Sequence, residues 1–369
     1  MDPIERRPWS SLPMDILSMI GDRLDTCIDV LRFRSVCSSF RSSIPAPRRE
    51  ACRFPLHIQP DLFLRASTIY ALGTPDGAAG SGRARWLLKL EESGRRRGRG
   101  RGRGRMRILS LFSRRRIAHL LPNTFPKVLD SRRFRMVEIC RQYTLDARGS
   151  AADLLPPFVK AVMHPDSVGS DLGQRSVYSL DVFARLGCWN YGDDNWSLDD
   201  CGYGYSDIVV YEGKVWVVDH AGKLSQMHRS LEHRSFSLPF YQTDGSRRKC
   251  HGSSKHLAVL GGDLYLADRF FGGYGDGFQT AFFIVYRLDR RRGRWEEVRS
   301  LGNSAFFICN RDSFVVSARE LDGRGANCIY HAENQYSKFD VYDVATQRLR
   351  WPDKSDFLIG LSCFDDAGR

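Results

Sequence analysis

Nine histidines, ten cysteines and several clustered aspartates could in principle carry acid–base, nucleophilic or metal chemistry in this 369-residue chain. His220 follows Asp219 at the end of an apolar run, the spacing of a carboxylate beside an imidazole. A polar pair at a turn needs the same two residues and no third group to orient them. Asp193, Asp194, Asp199 and Asp200 gather near Trp196 without the regular ligand spacing and central glycine of a calcium loop. Gly272-Gly273-Tyr274-Gly275-Asp276-Gly277 has the look of a phosphate loop, but no amphipathic helix follows to supply the amino-terminal N–H groups. No two cysteines stand at C-x-x-C spacing, so they read as reduced, mostly buried thiols, and no metal or cofactor is expected.

Among the residues that could do chemistry no acid, base or metal set converges, and the interest passes to surfaces. Eight arginines, Arg95, Arg96, Arg97, Arg99, Arg101, Arg103, Arg105 and Arg107, supply most of the net charge of +13. The rest of the chain is only mildly basic. Alternating Gly and Arg maximises backbone entropy and like-charge repulsion, which predicts a disordered, low-complexity loop over 92–107. Such a run could contact the phosphates of a polyanion. It carries no interleaved aromatics and no accompanying nucleic-acid fold, so a solvated insert is the preferred reading. The pieces around it, Arg85–Leu90 and Arg107–Phe112, are strand-like and could pair across the loop.

The elements that must position any surface fall into two kinds. At the amino terminus, Leu12, Ile16, Leu17, Ile20 and Leu24 recur at helical spacing, with Pro13 in the first turn and Asp15 near the positive end of the dipole. Thr26 and Asp29 have the form of a capping box, so a second helix starts near Cys27 and carries Ile28, Val30 and Leu31. Val36, Phe40 and Ile44 form a third stripe, ended by Pro45 and Pro47. Three helices in so few residues bury too little apolar surface to stand alone, and the surplus implies a partner.

From residue 180 onward the chain turns to short apolar strands. The stretch Ile208–Asp219 recurs 49 residues later as Leu257–Asp268, and again near Phe307–Val316. A second kind of hairpin, Val285–Asp289 turning to Gly293–Trp295, recurs as Val341–Val344 and Arg348–Trp351. Two hairpins in about 50 residues make one four-stranded blade with a kelch-like period. The length from about residue 50 to 369 then accommodates about six blades.

These residues carry a resemblance. W-S-x-L-P-x-x-x-L from Trp9, followed by D-V-L-R-F-R-S-V-C-x-x-F-R-S-S from Asp29, resembles the F-box. The stretches Phe283–Asp289, Trp295–Val298, Ser300–Phe307 and Gly325–Tyr330 are similar to the carboxy-terminal domain of the KIB-type family of plant F-box proteins. The resemblance implies a mainly β chain with a small α unit: flexible residues 1–8, a three-helix F-box over 9–47, a kelch-like β-propeller over 50–352 and a tail over 353–369. The Arg-Gly insert and the tail depart from the family pattern, so the last blade is expected to be atypical.

The resemblance further implies that Leu12, Pro13, Ile16, Leu17, Ile20, Leu24, Val30, Leu31, Val36, Cys37 and Phe40 form the helical core and the face for a Skp-type adaptor. Phe40 stands where a Trp is common. Through that adaptor the chain would join a cullin-RING ubiquitin ligase as a non-catalytic receptor for an unknown protein target. Rim aromatics Trp189, Tyr191, Trp196, Tyr203 and Tyr205 are candidate target contacts, against core packing as the default. The alternatives are a nucleic-acid-associated protein using the Arg-Gly run, or an F-box-like protein without ligase activity. No stretch of 18 apolar residues and no cleavable leader is evident, which leads us to expect no membrane association and a nuclear or cytoplasmic location.

Overall fold

In the computed structural model the described residues are 9–24, 26–46, 56–59, 61–73, 85–93, 105–112, 116–117, 135–147, 158–167, 170–199, 204–237, 254–272, 279–309, 312–321, 325–332 and 339–352. Three short helices lead: α1 (Met14–Gly21), α2 (Cys27–Ser35) and α3 (Ser38–Ser43). The capping box forms where the sequence places it, with Asp29 N–H donating to the Thr26 hydroxyl over 3.1 Å.

Among the described residues twenty-two strands follow. The first sheet holds β1 (Leu56–Gln59), β2 (Leu62–Gly73), β3 (Arg85–Ser93), β4 (Arg105–Leu109), β5 (Arg135–Ala147), β6 (Phe158–His164), β7 (Ser176–Asp181), β8 (Leu186–Asn190) and β9 (Ser197–Leu198). It is two blades in disguise, β4-β3-β2-β5 and β6-β7-β8-β9, joined by the single β5–β6 pairing of Tyr143 with Ala161. β10 (Tyr205–Tyr211), β11 (Lys214–Asp219), β12 (Leu224–Met227) and β13 (His233–Ser235) form the next blade, and β14 (Ser254–Leu260), β15 (Asp263–Gly272), β16 (Gln279–Asp289) and β17 (Arg294–Val298) the one after. The last sheet contains β18 (Ser304–Ile308), β19 (Ser313–Ser317), β20 (Cys328–Ala332), β21 (Phe339–Asp343) and β22 (Arg348–Arg350).

The repeat read from the sequence is real in its first two copies. Both β10–β11 and β14–β15 are hairpins with two-residue turns, and Glu212, Gly213, Gly261 and Gly262 all have positive φ. That backbone matches strand twist and favours glycine. The third copy departs. Here β18 pairs antiparallel with β19 but parallel with β20, so the sheet order is β19-β18-β20-β21-β22. A parallel pair needs a crossover, and the 3₁₀ turn Ala318–Leu321 follows β19 on the way to β20. The second strand of this hairpin, not the first, therefore takes the inner position: Ser313 Oγ donates to Leu257 O of β14 over 2.7 Å.

One apolar cluster joins each neighbouring pair of blades. Leu64 and Tyr143 pack with Met163 and Trp189; Tyr178 and Cys188 with Ile208 and Val217; Trp216 and Val218 with Leu257 and Leu266; Phe283 and Val285 with Phe306 and Ile329. Phe307, Phe314 and Tyr330 of the last sheet then pack with Ile69 and Leu87 of the first. The circuit is completed by packing, not strand pairing, and β5, β6, β10, β14 and β19 line its centre. The described residues form five blades where the period led us to expect about six.

The expected join across the Arg-Gly run is present: β3 and β4 pair from Lys89↔Leu109 to Ser93↔Arg105. Glu92, Ser93, Arg105 and Arg107 thus belong to strands, which narrows the loop expected over 92–107. Its arginines from Arg95 to Arg103, and the tail 353–369, lie outside the described residues.

Candidate functional site: an apolar helical face and the propeller ends

The helical unit has a small core of its own. Leu17, Val30, Phe33, Phe40 and Ile44 are buried, with Leu12, Leu24 and Cys37 packed against them. The Phe33 and Phe40 rings lie 4.7 Å apart. α1 meets the end of α3 so closely that a Cβ on Gly21 would stand 2.3 Å from Ile44 Cγ2. Glycine is required at that crossing, and helical periodicity alone did not reveal it.

This core divides the residues assigned to adaptor docking. Leu17, Val30 and Phe40 face inward and hold the helices together, so they correct any reading that places them on the docking face. Pro13 occupies the N-cap of α1. Ile16, Ile20, Leu31 and Val36 are between 36% and 62% exposed, and Met14 and Met19 join them. Trp9, at 72% exposed, adds an aromatic at the start. Seven large apolar side chains left exposed on one small unit, Trp9, Met14, Ile16, Met19, Ile20, Leu31 and Val36, are more than the scattered surface hydrophobes of an ordinary exterior. Arg32 Nη2 of the unit donates to Met136 O of β5 over 2.7 Å, a contact between the helices and the propeller.

That contact orients the propeller. β5 runs antiparallel to β6, and His164 pairs with Ser176, itself paired with Asn190. Met136 therefore lies toward the end of the first sheet that carries Asn190 and the loop after it. The opposite end carries the β7–β8 turn, where Phe158 pairs with Asp181.

The five rim aromatics separate accordingly. Trp189 is buried, its Nε1 donating to Asp193 O over 2.8 Å. Tyr205 is buried too, its hydroxyl donating to Asp199 Oδ2 over 2.5 Å. Both are packing residues, because the strand alternation that makes a blade turns them inward. Trp196 packs partly into the same core as Trp189. Tyr203 lies outside the described residues. Tyr191 alone of the four described is open to solvent, 43% exposed and set edge-on to Trp189. Sequence reasoning missed Phe183, 68% exposed at the tip of the β7–β8 turn, with the Arg185 guanidinium 5.3 Å from its ring centre. Its neighbours Val182 and Ala184 give no periodic signal in a three-residue turn.

The remaining chemical candidates resolve into structure. Asp219 Oδ1 accepts from Lys223 N over 2.8 Å, closing a turn instead of orienting His220. Burial, with Lys255 nearby, holds the His220 pKa below the usual imidazole value. Asp193 accepts from Asn190 N and Nδ2 over 3.1 and 2.9 Å, a hairpin-tip role. Residues 273–277 of the glycine-rich stretch lie outside the described residues; Gly272 ends β15. Among the described residues no three His, Cys, Asp or Glu gather to hold a metal ion. Cys188, Cys309 and Cys328 are buried free thiols. Arg107, from the Arg-Gly run, is engaged by Glu91 at 3.5 Å. Among the described residues no helix is long and apolar enough to cross a membrane.

A three-helix unit with an open apolar face, leading into a circuit of β-blades, defines an F-box joined to a propeller. The F-box domain profile matches residues 9–50 and the KIB1-4 beta-propeller profile matches residues 61–351. The chain therefore belongs to the plant F-box proteins with a KIB1-4 beta-propeller. A putative F-box protein of Arabidopsis thaliana is 30% identical over 87% of this chain and 87% of its own length. F-box protein SKIP23 of the same plant is 25% identical over 85% of this chain and 81% of its own. Among solved structures, the WD40 domain of SCAP from fission yeast aligns over 77% of this chain and 64% of that chain, at 10% identity and a TM-score of 0.23.

Proposed function

We propose that this chain is the target-recognition subunit of a Skp-cullin-F-box ubiquitin ligase, holding a Skp-type adaptor with its helices and a protein target with its propeller. The observation that carries the reading is that Ile16, Ile20, Leu31 and Val36 stand exposed on a helical unit that already has a buried core of its own. Burial of such a face against a partner contributes about 25 cal/mol per Å² of apolar surface. The chain's contribution to ubiquitination is proximity, bringing a target lysine near a charged conjugating enzyme.

The target side of the proposal rests on the two ends of the propeller. The helices attach toward the Asn190 end. Phe183, flanked by exposed Val182 on the opposite end, is the aromatic best placed to meet a target clear of the adaptor. Titration of the full chain with purified Skp-type adaptor tests the first half: wild type binds, and an Ile20→Asp, Leu31→Asp variant with an unchanged melting temperature does not. Equal binding by both defeats the proposal.

A further inference from the structure

The centre of the propeller contains a cavity of about 420 Å³, walled by β5, β6, β10, β14 and β19. That volume falls within the range of small-molecule sites. Its polar lining is not uniform, and the differences identify what would fit.

Every lining charge with a described interaction is already matched. Arg141 Nη1 donates to Asp166 Oδ1 over 3.1 Å, and its Nε to Glu138 Oε1 over 2.9 Å. The Tyr143 hydroxyl closes on the same Asp166 oxygen. Burial nonetheless keeps the Asp166 carboxyl above its ordinary pKa, with Arg141 pulling the other way. Lys160 Nζ bonds Asp207 Oδ1 at 2.7 Å, and Ser313 Oγ is committed to Leu257 O. Asp312 is engaged as well. An ionic ligand would have to break one of these buried pairs, at a cost of several kcal/mol.

Gln142 is different. It lines the cavity, is 5% exposed, and among the described residues neither its Oε1 nor its Nε2 has a hydrogen-bond partner. A buried carboxamide with both functions unmet costs about 1–3 kcal/mol for each. A Leu or Met of similar size would carry no such penalty at this position in a strand.

We infer that the cavity binds an uncharged small molecule that presents a hydrogen-bond donor and acceptor side by side, as a primary carboxamide, lactam or urea does. Such a group pairs with the Gln142 amide through two reciprocal N–H···O bonds. The apolar part of the ligand lies against the walls supplied by Ile208, Val210, Ala258 and Phe314. Neutrality is required by the matched charges, and the adjacent donor and acceptor by the glutamine. The site lies between blades and is independent of the helical docking face, so it stands whether or not the adaptor binds.

Saturation-transfer NMR on the purified full chain tests this with benzamide, 2-piperidone and phenylurea as probes. Benzoate and methyl benzoate serve as charged and acceptor-only controls. Wild type is expected to saturate the three amide probes and neither control. Gln142→Met removes the amide at constant length; it should weaken the amide probes at least about tenfold, which is about 1.4 kcal/mol, while its melting temperature without ligand equals or exceeds wild type. Gln142→Glu keeps shape but loses the donor, and should weaken them likewise. The inference is overturned if benzamide and benzoate saturate alike, if no amide probe binds wild type, or if neither variant changes binding. A fall of several degrees in the Gln142→Met melting temperature also overturns it, because the amide would then be satisfied within the fold.

Discussion

The helical unit and the propeller handle polar and apolar groups in opposite ways. In the helices a core of five buried residues coexists with exposed Ile16, Met19, Ile20, Leu31 and Val36. In the propeller, each blade hides its apolar face against the next, and even lysines are buried in pairs. Lys160–Asp207 joins β6 to β10 at 2.7 Å, and Lys255–Asp268 sits within the next blade at 3.2 Å. Asp207 also accepts from Leu257 N over 2.6 Å, so one carboxylate ties three neighbouring inner strands. The propeller thus spends its apolar groups mainly on packing between blades, whereas the small helical unit leaves a larger share of its own in solvent. Binding should therefore be sensitive to surface changes in the helices and stability to buried changes in the propeller.

The largest effect is expected where a buried charge loses its partner. Lys160→Met leaves Asp207 unpaired and should cost about 3–5 kcal/mol in denaturant unfolding. The double change Lys160→Met, Asp207→Leu should recover part of this through Lys160's partner, though not the Leu257 contact. A cost below 1 kcal/mol for the single variant would remove the junction role of Asp207. Of similar size is Phe40→Ala, which opens the helical core at a cost of about 3–5 kcal/mol. It should melt the helices and abolish adaptor capture while the propeller transition persists in calorimetry; a single merged transition shifted downward would show that the two regions fold as one.

A smaller effect, on affinity alone, separates the two ends of the propeller. Phe183→Ala should weaken target capture by about 2 kcal/mol and leave adaptor affinity unchanged, with Tyr191→Ala milder on targets. The reverse order in quantitative proximity labelling would place the target on the helix-bearing end.

The smallest effect concerns pH. Burial, reinforced by Arg269, lowers the His256 pKa to about 3. The unfolded imidazole titrates near 6.5, so below that pH the unfolded chain takes up a proton that the folded chain refuses. Stability tied to His256 is therefore present at neutral pH and is lost progressively as pH falls from about 6.5 toward 3. Between pH 7.5 and 5.5 the loss is about 1.4 kcal/mol. His256→Gln should show a correspondingly smaller fall in melting temperature over this interval, and an identical fall would contradict the assignment.

Much of this architecture is visible in the chain because local rules act alone there. The Thr26–Asp29 cap, the stripes ending at Ile44 and the glycine turns at 213 and 261–262 are each set by neighbours within a few residues. What stayed hidden depends on distant partners. The inward placement of β19, the Gly21–Ile44 crossing and the three-strand role of Asp207 arise only once blades and helices meet. The same holds for the rim aromatics. A Trp or Tyr beside a turn reads alike whether it faces solvent, as Tyr191 does, or the core, as Trp189 and Tyr205 do. Phe183 was missed because a single exposed aromatic in a tight turn has no pattern around it.

On the proposed function, the exposed Ile16, Ile20, Leu31 and Val36, not the helical core, meet the Skp-type adaptor. Isothermal titration of the full chain with purified adaptor, comparing wild type, Ile20→Asp/Leu31→Asp and Tyr191→Ala, tests it most directly. The account predicts a loss of at least about 100-fold, or 2.7 kcal/mol, for the helix variant with circular dichroism and melting temperature unchanged, and no loss for Tyr191→Ala. Wild-type affinity in the helix variant, with its fold intact, would contradict it.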